Sequence, residues 1–226
     1  MKKITFLLSL AVFALSLAMV QAAPVELKLS HFGAESHPSQ AAAKMFAEGV
    51  EKRTNGQVKI VIYPNNALGD PPQVLEQVFL GAVDMSLSGQ DQLAKYAKMF
   101  DCVSIPFAFK GTSHVDKVLD GPFKVWAAAE LEKKGMIYLS SWEWGFRQVT
   151  NSVRPINGPD DLKGLKIRTP PALAYQEFVK ACGGIVQTIS FAELVMAMRN
   201  GVVDGEENPI GVIYTLKLYE TQKYIS

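Results

Sequence analysis

Cysteine and histidine are scarce in this 226-residue chain: Cys102 and Cys182 are the only cysteines, and His31, His37 and His114 the only histidines. The histidines lack metal-ligand spacing and read instead as a strand end, a helix start and a surface helix. No Gly-x-Ser-x-Gly elbow, His-Glu-x-x-His helix, phosphate loop or convincing Cys and His pair occurs, which argues against hydrolytic and nucleotide chemistry. The acidic pair Glu206-Glu207 is a poor acid and base couple, because neighbours on a strand point to opposite faces. Cys102 and Cys182 lie far apart, in segments assigned to different lobes. They are either a bridge or two small buried hydrophobes.

Excess charge is also lacking. The chain has 23 basic and 22 acidic residues, and the only charges before Ala23 are Lys2 and Lys3, so the remainder is nearly neutral. That leaves no electrostatic footprint for nucleic acid or an anionic membrane. The one long apolar run, Ile4 to Val20, follows Lys2-Lys3 and precedes Val20-Gln21-Ala22. It reads as a secretory signal over residues 1–22, cleaved after Ala22, with an uncleaved anchor as the competing reading. No Cys follows the run, which argues against a lipid anchor. What remains is long enough for one generous core or two small lobes.

Strand and helix signals alternate through that remainder. Val25 to Ser30 reads as a strand, and Ser36 caps a helix with Pro38 in its first turn that runs to about Thr54, ahead of Gly56. Val58 to Tyr63 is a second strand; Asp70-Pro71-Pro72 starts a helix closing at Gly81, and Asp84 to Ser88 returns as a strand. This is the βαβαβ rhythm of a helix-covered sheet. Gly121-Pro122 opens a helix that Gly135 ends, and Met136 to Trp142 has the content of a buried strand. Pro171 to Ala181 is helical and Ile185 to Ile189 extended. Ser190 and Glu193 form a capping box for a helix ending at Gly201. Gly81-Ala82-Val83-Asp84 is echoed by Gly201-Val202-Val203-Asp204, each a helix, a left-handed glycine cap and a strand. The echo fits two similar α/β lobes.

Arg168 is the first candidate for chemistry. Leu165 to Thr169 alternates apolar and cationic residues, and Pro170-Pro171 stops the strand, which holds the guanidinium near a strand end. A partly desolvated guanidinium meets both oxygens of a carboxylate, in charge-assisted bonds worth ~1.5 to 3 kcal/mol each; a solvated surface cation is the alternative. Asn208, held extended by Pro209, is either a polar ligand contact or an Asx-type turn. Arg147 is a second ligand contact or half of an ion pair with Glu143 or another carboxylate.

The run Asp161-Leu162-Lys163-Gly164-Leu165-Lys166-Ile167-Arg168-Thr169-Pro170 resembles the DctP family, the extracytoplasmic solute receptors of TRAP transporters. The likeness extends through Leu68-Gly69, Gly81-Ala82-Val83-Asp84-Met85, Ser190-Phe191-Ala192-Glu193 and Gly201 to Pro209. It implies a two-lobe α/β binding protein of the Venus-flytrap type: residues 23–145 as the first lobe with its cross-over strand, and 146–226 as a partial second lobe. The resemblance also implies that a C-terminal part of the family fold is absent, leaving apolar surface exposed and stability marginal.

By the same resemblance Arg168 grips a ligand carboxylate, Asn208 and Arg147 complete the polar shell, Phe191 stacks on the ligand, and Gly89 joins the site. Trp144 stands where relatives often keep a small polar residue. With Trp142, Phe146 and Phe32 it suggests an aromatic wall favouring an aromatic or indole-type acid over a small dicarboxylate or sugar acid; core packing of both indoles competes. The implied protein is no enzyme, needs neither cofactor nor metal, and is periplasmic. Its partners are a small carboxylate and TRAP membrane subunits. A ligand-binding sensor for a signalling partner is the runner-up, and a periplasmic hydrolase a distant third.

Overall fold

The computed structural model describes residues 23–226, so the leader assigned to residues 1–22 lies outside the described residues. β1 (Val25–His31) leads into α1 (Pro38–Arg53), β2 (Val58–Tyr63), α2 (Pro71–Phe79) and β3 (Met85–Leu87). These strands form a parallel sheet in the order β2-β1-β3. Parallel neighbours cannot be joined by a tight hairpin, and a helix fills each crossover here. The short α3 (Gln90–Leu93), a 3₁₀ turn at Lys98–Ser104, α4 (Thr112–Leu119) and α5 (Pro122–Glu132) follow. Leu75, Leu93, Phe100, Phe123, Ala127, Leu131 and Met136 close around one another as the core of this region. Phe100 sits at its centre with no exposed surface; burying such a ring stabilises the fold by about 2 to 3 kcal/mol.

The second sheet repeats the plan and adds to it. β4 (Arg147–Asn151) comes first, then β5 (Lys166–Thr169), α6 (Leu173–Ala181), β6 (Ile185–Thr188), α7 (Leu194–Arg199), β7 (Gly205–Pro209), α8 (Ile210–Thr215) and β8 (Tyr224–Ile225). The order is β6-β5-β7-β4-β8, with β5 parallel to β6 and β7, and β4 antiparallel to β7 and β8. The chain is thus α/β with two lobes, one per sheet. One core here joins Leu162, Leu165, Ile167 and Val179; another joins Leu194, Ala197, Met198, Val203, Ile213 and Leu218.

The echoed glycine caps have a structural counterpart. Gly81 and Gly201 adopt φ of 75° and 67°, the left-handed conformation in which a side chain is strained. The aspartate three residues later then acts alike in both sheets. Asp84 Oδ2 accepts from the Lys28 backbone N–H at 2.7 Å, and Asp204 Oδ2 from the Lys166 N–H at 2.8 Å.

Four expectations need correction. The residue preceding α1 is His37 rather than Ser36, and its side chain accepts from the Ser39 N–H, because Pro38 takes the first helical position. Ser190 Oγ donates to Glu193 at 2.9 Å, yet α7 begins only after Glu193, so the pair braces the preceding turn and does not cap the helix. Met136 to Trp142 joins no ladder among the described residues. Its polar side chains turn to Gln90, which donates to Ser141 Oγ at 2.8 Å and Tyr138 Oη at 3.3 Å, while Ile137 is 83% exposed. Finally, Cys102 and Cys182 are both free, Cys102 being exposed and Cys182 half-buried, so neither a bridge nor two buried hydrophobes describes them.

Candidate functional site

A cleft of about 220 Å³ opens where the ends of the two sheets face each other. Arg168, Arg147, Asn208, Phe191, Phe32 and Gly89 all line it, together with Asp70, Gln73, Asp91, Gln92 and Ser190. Six of the seven residues singled out from the sequence are therefore brought together. Trp144 is the exception. Its indole stacks on Phe32 at 4.2 Å and on the His37 ring at 4.3 Å, with interplanar angles of 22° and 20°. It lies against Phe32 outside the lining of the cleft, and so supports the wall without forming it. Trp142 packs edge-on against Phe46.

Arg168 is only 1% exposed. Ile167 and Arg168 pair on both sides, with β6 and with β7, so the backbone carrying the guanidinium is held in the middle of the ladder. Its Nε donates to the Ile189 carbonyl at 2.8 Å, whereas Nη2 is buried with no acceptor. Burial lowers its pKa to about 10, with the Glu207 carboxylate opposing the shift, so the group remains a cation at neutral pH. A buried cation with an unmet donor is costly, by several kcal/mol after relaxation. An acceptor oxygen arriving in the cleft would relieve that cost.

Arg147 is held differently. Its Nε pairs with the Glu207 carboxylate, and its Nη2 donates to the Glu207 carbonyl at 2.7 Å and to Asn208 Oδ1 at 3.2 Å. Its guanidinium also lies 4.5 Å from the centre of the Tyr175 ring. The ion-pair partner is thus Glu207, contributed by the adjacent strand, and Glu143 is not involved. Burial disfavours the Arg147 charge, but Glu207 and Tyr175 outweigh it and raise the pKa. The Tyr175 hydroxyl is itself pushed up to about 12, chiefly by burial.

Glu206 and Glu207 turn to different partners, as neighbours on a strand must. Glu206 accepts from Thr150 Oγ1 at 2.8 Å and from Asn208 Nδ2, while Glu207 faces Arg147. Burial raises both carboxyls, Glu206 to about 7. Asp91, just beyond Gly89, is raised by burial and held back by Arg147. Asp91 was not anticipated from the sequence, although the polar run Ser88-Gly89-Gln90-Asp91-Gln92 after a strand was its available signal.

Contacts across the cleft tie the sheets together. The Ala192 N–H donates to Asp70 Oδ1 at 3.3 Å, and Phe32 meets Phe191 edge to face at 5.0 Å. Gly89 begins α3 beside the Asp91 carboxylate, where a Cβ would fall 2.2 Å from Oδ1. A side chain at Gly89 would therefore have to displace the Asp91 carboxylate.

Comparison with known proteins places this geometry. The profile of the family described as "Bacterial extracellular solute-binding protein, family 7" (DctP) matches residues 29–226. The chain is 34% identical over 221 residues to the 2,3-diketo-L-gulonate-binding periplasmic protein YiaO of Escherichia coli K12, covering 98% of this chain and 66% of that one. Among solved structures, the sugar acid binding protein DctPAm from Advenella mimigardefordensis with galactonate superposes with a TM-score of 0.87 at 32% identity, over 91% of this chain and 66% of that one. A TRAP periplasmic solute binding protein from Desulfovibrio salexigens with bound orotic acid gives 0.84 at 29% identity, over 88% and 64%. The chain thus spans about two thirds of the length of these relatives.

Proposed function

The chain belongs to family 7 of the bacterial extracellular solute-binding proteins, the DctP family, and from that premise we propose that it captures an organic acid in the cleft between its lobes. Arg168 takes the carboxylate, Asn208 and Arg147 complete the polar shell, and closure of the lobes presents the loaded receptor to TRAP-type membrane subunits. The observation that carries this reading is the buried Arg168 guanidinium with its unmet Nη2. Periplasmic placement is supported by the family and by the leader read over residues 1–22. A lobe boundary at Gly145 is supported by the start of β4 at Arg147.

The aromatic or indole-type acid suggested by Trp144 now rests on Phe32 and Phe191 instead, since these two rings are the ones lining the cleft. Beside the cations, Asp70 and Asp91 would repel a second carboxylate, while Gln73, Gln92 and Ser190 offer hydrogen bonds. We therefore infer a monocarboxylate with one flat or apolar face and hydrogen-bonding groups on its far edge. Of the acids held by the relatives above, orotic acid meets both demands and galactonate the second.

A thermal-shift panel of orotate, galactonate, indole-3-acetate, succinate and uncharged sugars tests this. Monocarboxylates should raise the Tm most, and succinate least among the acids. Stabilisation by neutral solutes alone would remove the basis for the arginine reading.

A further inference from the structure

Six charged side chains gather at the polar end of the cleft: Arg147 from β4, Arg168 from β5, Glu206 and Glu207 from β7, Asp91 from α3 and Asp70 ahead of α2, with the Tyr175 hydroxyl from α6 beside Arg147. If every acid were ionised, four carboxylates would stand against two guanidiniums. A site that takes an anion is then better served by one of the acids holding a proton.

Geometry singles out Glu206. It is completely buried, and no ion pair among the described residues includes it. Arg147 is committed to Glu207, and the Nε of Arg168 to the Ile189 carbonyl. The partners Glu206 does have tolerate a proton. The Thr150 hydroxyl, 2.8 Å away, can accept from one oxygen as readily as donate to it, while Asn208 Nδ2 donates to the other. Because Arg147 donates to Asn208 Oδ1 at 3.2 Å, Glu206 and Arg147 together fix which way the Asn208 amide faces. One Nδ2 hydrogen is left over for a ligand oxygen.

We propose that Glu206 is a positioning residue that sets the Asn208 amide and, by holding a proton, makes acid capture in this cleft proton-linked. The proposal rests on the carboxylate-binding reading above. An arriving anion adds negative charge beside Glu206 and raises its proton affinity, so above neutral pH the ligand enters together with one proton drawn from solvent. Burial already pushes the acid up to about 7 in the free site. The ligand carboxylate stays ionised across this range, so the proton belongs to the protein.

Two measurements on the full chain test the proposal. In ¹³C-carboxyl NMR, the glutamate resonance that disappears in Glu206→Gln should titrate near neutrality; a midpoint in the ordinary carboxylate range would overturn the idea. Calorimetry with orotate or galactonate at pH 7.5, in buffers of different ionisation enthalpy, should show net proton uptake. Affinity should fall about tenfold from pH 6.5 to 8.5, and Glu206→Gln should flatten that profile. Zero uptake, or an unchanged profile in the variant, refutes proton linkage. Failure of every acid to bind at any pH sinks the receptor reading itself, and the NMR midpoint still decides whether Glu206 holds its proton.

Discussion

The unit β1-α1-β2-α2-β3 and the unit β5-α6-β6-α7-β7 share strand order, direction and a register marker, the aspartate that accepts from Lys28 in one and Lys166 in the other. Aligning them on that marker places Ser30 opposite Arg168. Ser30 pairs in register with Ser86, as Arg168 does with Glu206. Two residues further on, Ser88 bonds to Ser86 just as Asn208 bonds to Glu206. The frames therefore coincide while the chemistry diverges. One lobe carries three neutral hydroxyls where the other carries a cation, an acid and an amide. The cations at the cleft all come from the second lobe, and the first contributes the Phe32 ring and the carboxylates of Asp70 and Asp91. The shared backbone architecture therefore does not set the chemistry; three side-chain positions on a common frame separate the two lobes.

Substitutions at matched positions probe that asymmetry. Arg168→Lys should weaken acid binding about 100-fold by calorimetry, because an ammonium cannot copy the planar fork. Ser30→Ala, its counterpart, should change affinity less than about twofold. Equal effects would break the comparison. Asp91→Asn, which removes a like charge facing the ligand, should strengthen succinate binding about tenfold and orotate binding less. A uniform gain would show that Asp91 does not select against second carboxylates.

Smaller effects test the shared frame. Asp84→Ala and Asp204→Ala should each cost about 1.5 kcal/mol in urea unfolding, since each strips an acceptor from a backbone N–H. The two losses should match closely if the units are equivalent. Gly81→Ala and Gly201→Ala should each cost about 1 kcal/mol through the left-handed φ alone, since the space where a Cβ would stand is open at both. A large loss at only one would mean that the echo is coincidental.

Much of the frame was legible because its signals are local. Pro38, Pro71 and Pro122 start helices, and Gly56, Gly81, Gly135 and Gly201 take left-handed φ where helices or their turns close. Arg168 was legible because alternation and Pro170-Pro171 fix a strand end. The misreadings share another cause. Whether Met136 to Trp142 joins a sheet depends on a neighbour that its own residues do not specify. Arg147 chooses Glu207 only because β4 and β7 pair antiparallel, 60 residues apart in sequence. Trp144 points to the cleft wall only through its departure from the family pattern, with core packing as the alternative, and in the structure its indole stacks on Phe32 and His37.

The stack Phe32, Trp144 and His37 has an optical consequence. Phe32 touches the cleft, and the Trp144 indole stacks on both Phe32 and His37. Seating a flat acid on Phe32 alters the surroundings of that indole, and protonating His37 quenches it by electron withdrawal. Trp144 fluorescence is therefore a built-in gauge of occupancy, read without any attached dye and separable from Trp126 and Trp142 by replacing those two with Phe.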